Sequence, residues 1–139
     1  MDDSTALLVM VHGSPTKSAN DDMFEVVNLI RARNLFRAVV VGFMECNEPT
    51  IPEAISECVS SGASRVVAVP YFLHVGTHVA DDLPGLLEDA RQTYPMVQFA
   101  LGRHIGESAS VTEILAKRIE SKSLHQRLTH QSGGESWRS

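Results

Sequence analysis

Apolar residues recur along the chain with two different periods. Four short, nearly unbroken apolar runs occupy residues 6–11 (ALLVMV), 38–44 (AVVVGFM), 65–73 (RVVAVPYFL) and 97–101 (VQFAL), rich in β-branched and aromatic side chains. Such runs, without polar alternation, predict strands buried on both faces. Between them the apolar positions shift to steps of three and four: Met23, Val26, Val27 and Ile30; Ile51, Ala54, Ile55, Cys58 and Val59; Leu83, Leu86, Leu87, Ala90 and Tyr94. Each set gives a helix one apolar stripe, and a fourth helix is expected over residues 111–119. Thr50 with Glu53 reads as a capping box, Pro52 falls in the first turn behind it, and Gly62 lies just past the last stripe residue. Four alternating strand–helix units predict an α/β fold, flavodoxin-like in kind: a parallel four-stranded sheet whose right-handed crossovers place helices on both faces.

Residues 121–139 (SKSLHQRLTHQSGGESWRS) break the pattern, as apolar residues thin out and Ser, Gln, Gly and Arg take over. One domain over residues 1–120 and a disordered polar tail over 121–139 are therefore expected, with His125 and His130 incidental to the tail. The whole chain of 139 residues carries 17 acidic against 12 basic side chains, a net charge of −5, with no basic block and few aromatics. That balance provides no footprint for nucleic acid or for an acidic membrane, and neither partner is expected. No apolar run approaches the roughly 20 residues of a membrane span, and the acidic start MDDSTALLVMVHGS is unlike a signal peptide, so a cytoplasmic location is expected. Cys46 and Cys58 lack ligand-like spacing and read as free, packed thiols in a reducing compartment.

The chemically able side chains follow the predicted strands. His12 comes after the first, Glu45 after the second, His74 and His78 after the third and His104 after the fourth. In a parallel sheet all five stand at the carboxyl edge, where open α/β sheets bind ligands. Each histidine alone is more simply a structural or exposed residue, and only their convergence marks a site. Neutral imidazole binds divalent Fe, Co, Ni and Zn and accepts protons near neutral pH, so one such site can hold a metal and take up protons.

Other chemistries fit these segments poorly. The loop HGSPTKSAN after the first strand has no phosphate-binding glycine pattern, and Asp21 and Asp22 oppose a phosphate at the next helix start. In HVGTH no Glu follows the first His, so the zinc-protease motif is absent. A histidine phosphotransferase would place an arginine immediately before His12, where Val11 stands. Asp81 and Asp82 are expected to cap a helix ahead of Pro84, although one of them could instead orient His78 as a hydrogen-bond acceptor.

Three segments, LLVMVHGSP (7–15), FMECNEPTIPEAI (43–55) and VVAVPYFLHVGTHVADDLPGLL (66–87), occur in the order and spacing of the CbiX/SirB family of small class II chelatases, which the chain resembles over residues 6–106. The resemblance implies insertion of Co²⁺, Fe²⁺ or Ni²⁺ into sirohydrochlorin for cobalamin or sirohaem, the fold being half of a two-domain chelatase. It implies His12 and His78 as metal-binding, proton-relaying residues, with Glu45 a further catalytic residue. His74 holds a position that is usually apolar in the family, and LGRHIG (101–106) departs from the more usual proline before the apolar–Gly pair, so the resemblance lends His104 little support as a site residue. Ser14, Lys17, His74, Thr77 and helix-start N–H groups are candidates for holding the carboxylate-rich macrocycle. The metal is substrate, no permanent cofactor is expected, and a homodimer is expected because one short unit offers a shallow edge to so large a ligand. A non-catalytic carrier of metal or tetrapyrrole using the same histidines is the alternative.

Overall fold

The four apolar runs form parallel strands in the spatial order β2-β1-β3-β4: β1 (Asp2–Val11), β2 (Phe36–Phe43), β3 (Arg65–Pro70) and β4 (Gln98–Leu101). This computed structural model describes residues 2–120, so the segment 121–139, with the tail histidines, lies outside the described residues. The chain divides into two units, residues 1–106 and 107–139, and α4 (Ser110–Glu120), the predicted fourth helix, belongs to the second. Among the described residues no helix is long and apolar enough to cross a membrane.

Central β1 shows why its run is continuous. Ala6, Leu8 and Met10 face a core closed by α2 (Ile51–Ser60) and α3 (Thr77–Thr93), while Val9 and Val11 face one closed by α1 (Asp21–Ala32). Alternate side chains point to opposite faces, so a strand covered on both sides needs apolar residues at every position. Residues 6–11 of β1 lie opposite 38–43 of β2, and residues 5–10 opposite 65–70 of β3. That unbroken register brings the strand ends, and the loops that follow them, to one edge.

Local signals explain the helices. In α2 the Thr50 side chain accepts from the Glu53 N–H while Glu53 accepts from the Thr50 N–H at 2.8 Å, and Gly62 takes a φ of +93° beyond the last turn. The α1 stripe is narrower than expected. Met23 and Val27 are buried and Ile30 half-buried, but Val26 is exposed, because successive residues are about 100° apart around a helix.

Two boundaries differ from the sequence-based expectation. Strand β3 ends at Pro70, not at Leu73. The Tyr71 N–H donates to Met10 O at 2.8 Å, so the N–H that Pro70 lacks would have pointed to the β4 side, beyond the last β3–β4 pair, Ala68 with Leu101. Helix α3 begins at Thr77 with Gly76 as its N-cap, which puts Asp81, Asp82 and Pro84 inside the helix and removes the two aspartates from any capping role. The apolar stripe explains this: Val79, one turn before Leu83, packs on the same core and draws the chain into helix early. The helix keeps this internal proline, a residue that costs on the order of 3 kcal/mol, with Val79, Leu83, Leu87 and Ala90 of the same helix packed on the core.

Candidate functional site

Hydrogen bonding between β1 and β2 continues past the strands. Met44 N–H donates to Val11 O at 2.8 Å and Glu45 N–H to His12 O at 3.1 Å. This zipper sets Glu45 beside His12, with Glu45 Oε1 3.4 Å from His12 Nδ1; both side chains are more than half exposed, at 59% and 56%. Gly13 O also lies 3.4 Å from Nδ1. Two acceptors near one ring nitrogen suit an N–H at Nδ1, an arrangement in which Nε2 is the nitrogen turned to a metal or a proton. An ion pair this exposed contributes little to stability, and its consequence is orientation. Gly13 makes the approach possible. Its φ is +96°, and a Cβ there would lie 1.9 Å from Glu45 O.

The β3 and β4 loops are joined in the same way. Gly106 N–H donates to Phe72 O at 2.9 Å, and a Cβ on Gly106 would stand 1.4 Å from Leu73 O. Between the two zippers lies a cavity of about 240 Å³ lined by His12, Phe72, His74, Gly76 and Val79. Phe72 meets the His12 ring edge-on, centroids 6.4 Å apart. The structure thus brings His12, Glu45 and His74 together, and His74, exposed on the loop before α3, shares the cavity with His12. His78 stands in the first turn of α3, four positions before Asp82; its side chain and that of Lys17 lie outside the described residues. Ser14 and Thr77 do not line this cavity, and His104 is half-buried in the loop after β4. Among the described residues no three His, Cys, Asp or Glu side chains form a ligand cluster.

The helix starts at this edge differ in charge. Asp21 and Asp22 occupy the first turn of α1, and α2 is closed by its capping box with Glu53. Helix α3 has neither an acidic first turn nor a side-chain cap, so its first N–H groups, beside Gly76, present the positive end of a 17-residue helix to the cavity. A larger cleft of about 410 Å³ lies between α2 and α3, where Asp81, Asp82 and Asp89 line it and none of the described histidines does.

The cysteines differ from the packed pair expected. Cys58 is fully buried, and burial, with a smaller contribution from the charge of Glu57, pushes its thiol up to about 12. Cys46 is exposed at a φ of +68°. A neutral disulfide reagent added to the native protein is expected to titrate one thiol, and Cys46→Ser to abolish that reaction; two thiols reacting at the same rate would contradict the burial of Cys58.

The histidine–carboxylate edge invites comparison with known proteins. A family model described as CbiX matches residues 6–122. The chain belongs to the CbiX family. Among its relatives in that family, the sirohydrochlorin cobaltochelatase of Methanococcus maripaludis is 42% identical over 82 residues, covering 59% of this chain and 57% of that protein. The sirohydrochlorin cobaltochelatase of Sulfurisphaera tokodaii is 33% identical over 114 residues, 82% of this chain and 90% of its own. The sirohydrochlorin chelatase SirB of Bacillus subtilis, solved in complex with cobalt, superposes with a TM-score of 0.76 at 27% identity, over 84% of this chain and 50% of SirB. The chain thus spans little more than half the length of the M. maripaludis protein and half that of SirB.

Proposed function

We propose that this chain inserts a divalent metal, Co²⁺ or Fe²⁺ and in principle Ni²⁺, into sirohydrochlorin. The observation that carries the reading is the His12–Glu45 pair, with His12 lining a cavity shared with His74, in a chain of the CbiX family whose relatives bear the names of sirohydrochlorin chelatases. Insertion requires stripping water from the metal and removing two pyrrole protons, so the site needs a donor that can alternate between metal and proton. His12, its Nδ1 held by Glu45, offers Nε2 for both. Glu45 holds the ring and balances the imidazolium formed when His12 takes a proton, and so acts through His12 rather than as an independent base. His78 is assigned as the second metal-binding histidine from its motif position and its place in the first turn of α3. The N–H groups opening α3, together with Ser14, Lys17 and Thr77, are assigned to the macrocycle's carboxylates, which the net charge of −5 would otherwise repel.

Mixing the protein with sirohydrochlorin and each metal in turn, while following the absorption change, tests the reading. More than one metallated macrocycle per protein chain is expected; stoichiometric binding without turnover would overturn it in favour of a carrier. Because the chain covers 50% of SirB, a second copy is proposed to enclose the other side of the macrocycle. Sedimentation of the active protein at micromolar concentration is expected to give a dimer, and a fully active monomer would sink that assignment. A cytoplasmic setting accords with the two free cysteines.

A further inference from the structure

The loop between β2 and α2 approaches the His12 loop twice. The first contact is the backbone bond from Glu45 to His12. The second is made by a side chain: Ser14 N–H donates to Asn47 Oδ1 at 2.7 Å, between residues 33 positions apart in sequence. Cys46, between Glu45 and Asn47, takes a φ of +68° while Asn47 N–H donates back to Glu45 O at 2.8 Å, the pattern of a γ-turn. That turn reverses the chain over one residue, so both of its neighbours face the same loop. The Ser14 hydroxyl is already occupied locally, accepting from Thr16 N–H at 3.1 Å. Gly13 is held between the two contacts: a Cβ there would lie 1.9 Å from Glu45 O and 3.1 Å from Asn47 Oδ1.

We propose that Asn47 is a positioning residue for His12. By accepting the Ser14 N–H it fixes the peptide that follows Gly13, and with it the angle at which the imidazole meets Glu45. A loop tied at His12 alone could turn at Gly13, whose backbone has the widest choice of torsions; a second tie two residues on removes that freedom. The geometry stands independently of the chelatase reading, whereas the consequence for turnover rests on it.

The test compares Asn47→Asp, which keeps the accepting oxygen, with Asn47→Leu, which keeps the size and loses it. The His12 ring-nitrogen signals, assigned by their loss in His12→Gln, report the tautomer by NMR. The parent protein and Asn47→Asp are expected to hold the Nδ1-protonated form, and Asn47→Leu to give a mixture. In parallel, kcat for Co²⁺ insertion is expected to fall about 10- to 100-fold in Asn47→Leu with KM little changed, and to be largely restored in Asn47→Asp. Should the leucine variant fail to fold, Asn47→Ser, too short to reach Ser14, takes its place. Unchanged tautomer and kcat in the variant lacking the acceptor, or an aspartate variant as impaired as leucine, would overturn the proposal. A parent protein that inserts no metal sinks the chelatase reading and leaves the tautomer ratio to decide this one.

Discussion

His12→Ala is expected to lower the rate of metal insertion at least about 100-fold, the scale on which a lost proton acceptor is felt, without unfolding the chain. His12 is more than half exposed, and the polar contacts of its side chain to Glu45 and Gly13 are long, so its removal opens no core cavity and strands no buried partner. Circular dichroism should match the parent. Glu45→Gln is the informative companion. Its amide oxygen can still accept from Nδ1 while the charge is lost, so a decrease of about 10- to 100-fold is expected, smaller than that of His12→Ala. His74→Ala, removing an exposed side chain from the same cavity, is expected to cost about 10-fold or less, below the general-base range. Steady-state insertion of Co²⁺ by the three variants orders them. If His74→Ala is the inactive one and His12→Ala is near normal, the cavity is used from its other side and the roles given to His12 and Glu45 are wrong.

Much of this site was legible in the sequence because the fold itself was. Continuous apolar runs such as residues 6–11 require a strand covered on both faces, and a parallel sheet gathers whatever follows its strands at one edge. That logic brought His12, Glu45 and His74 together from three distant segments. The Thr50–Glu53 box and Gly62 bounded α2 correctly because both signals are local. Errors came where a local signal competed with packing. Pro84 and the two preceding aspartates read as a helix start, yet Val79 had continued the stripe one turn earlier, and the core contact prevailed. Pro70 was absorbed into an apolar run, although its missing N–H is affordable only where β4 has ended. Asn47 carried no pattern at all. Its partner, Ser14, becomes a neighbour only after β1 and β2 pair, so no periodicity or spacing could have marked it.

Gly13 and Gly106 were likewise unmarked as structural elements, and Gly13→Ala provides the second large expected effect. Alanine there meets two separate obstacles. A φ of +96° is one that residues with a Cβ rarely adopt, costing on the order of 1–3 kcal/mol. The added Cβ would also sit 1.9 Å from Glu45 O, a backbone atom that no rotamer change can move aside. Relief requires the two loops to part by an ångström or more, and the His12–Glu45 contact spans the same gap. Displacement of a catalytic group by about 1 Å can cost roughly 100-fold in rate, so Gly13→Ala is expected to approach His12→Ala in activity. The two should differ in stability. His12→Ala is expected to melt with the parent, and Gly13→Ala several degrees lower, since 1 kcal/mol moves Tm by about 4–8 °C in a domain of 60–100 residues and somewhat less in larger ones. Gly106→Ala supplies the control on the opposite side of the cavity. Its Cβ would collide with Leu73 O, shifting the Phe72–His74 loop while leaving the His12–Glu45 zipper in place, so its loss of rate should be the smaller. Full activity in Gly13→Ala at an unchanged melting temperature would show that the loops can separate without consequence, and that close backbone approach is not what aligns His12 with Glu45.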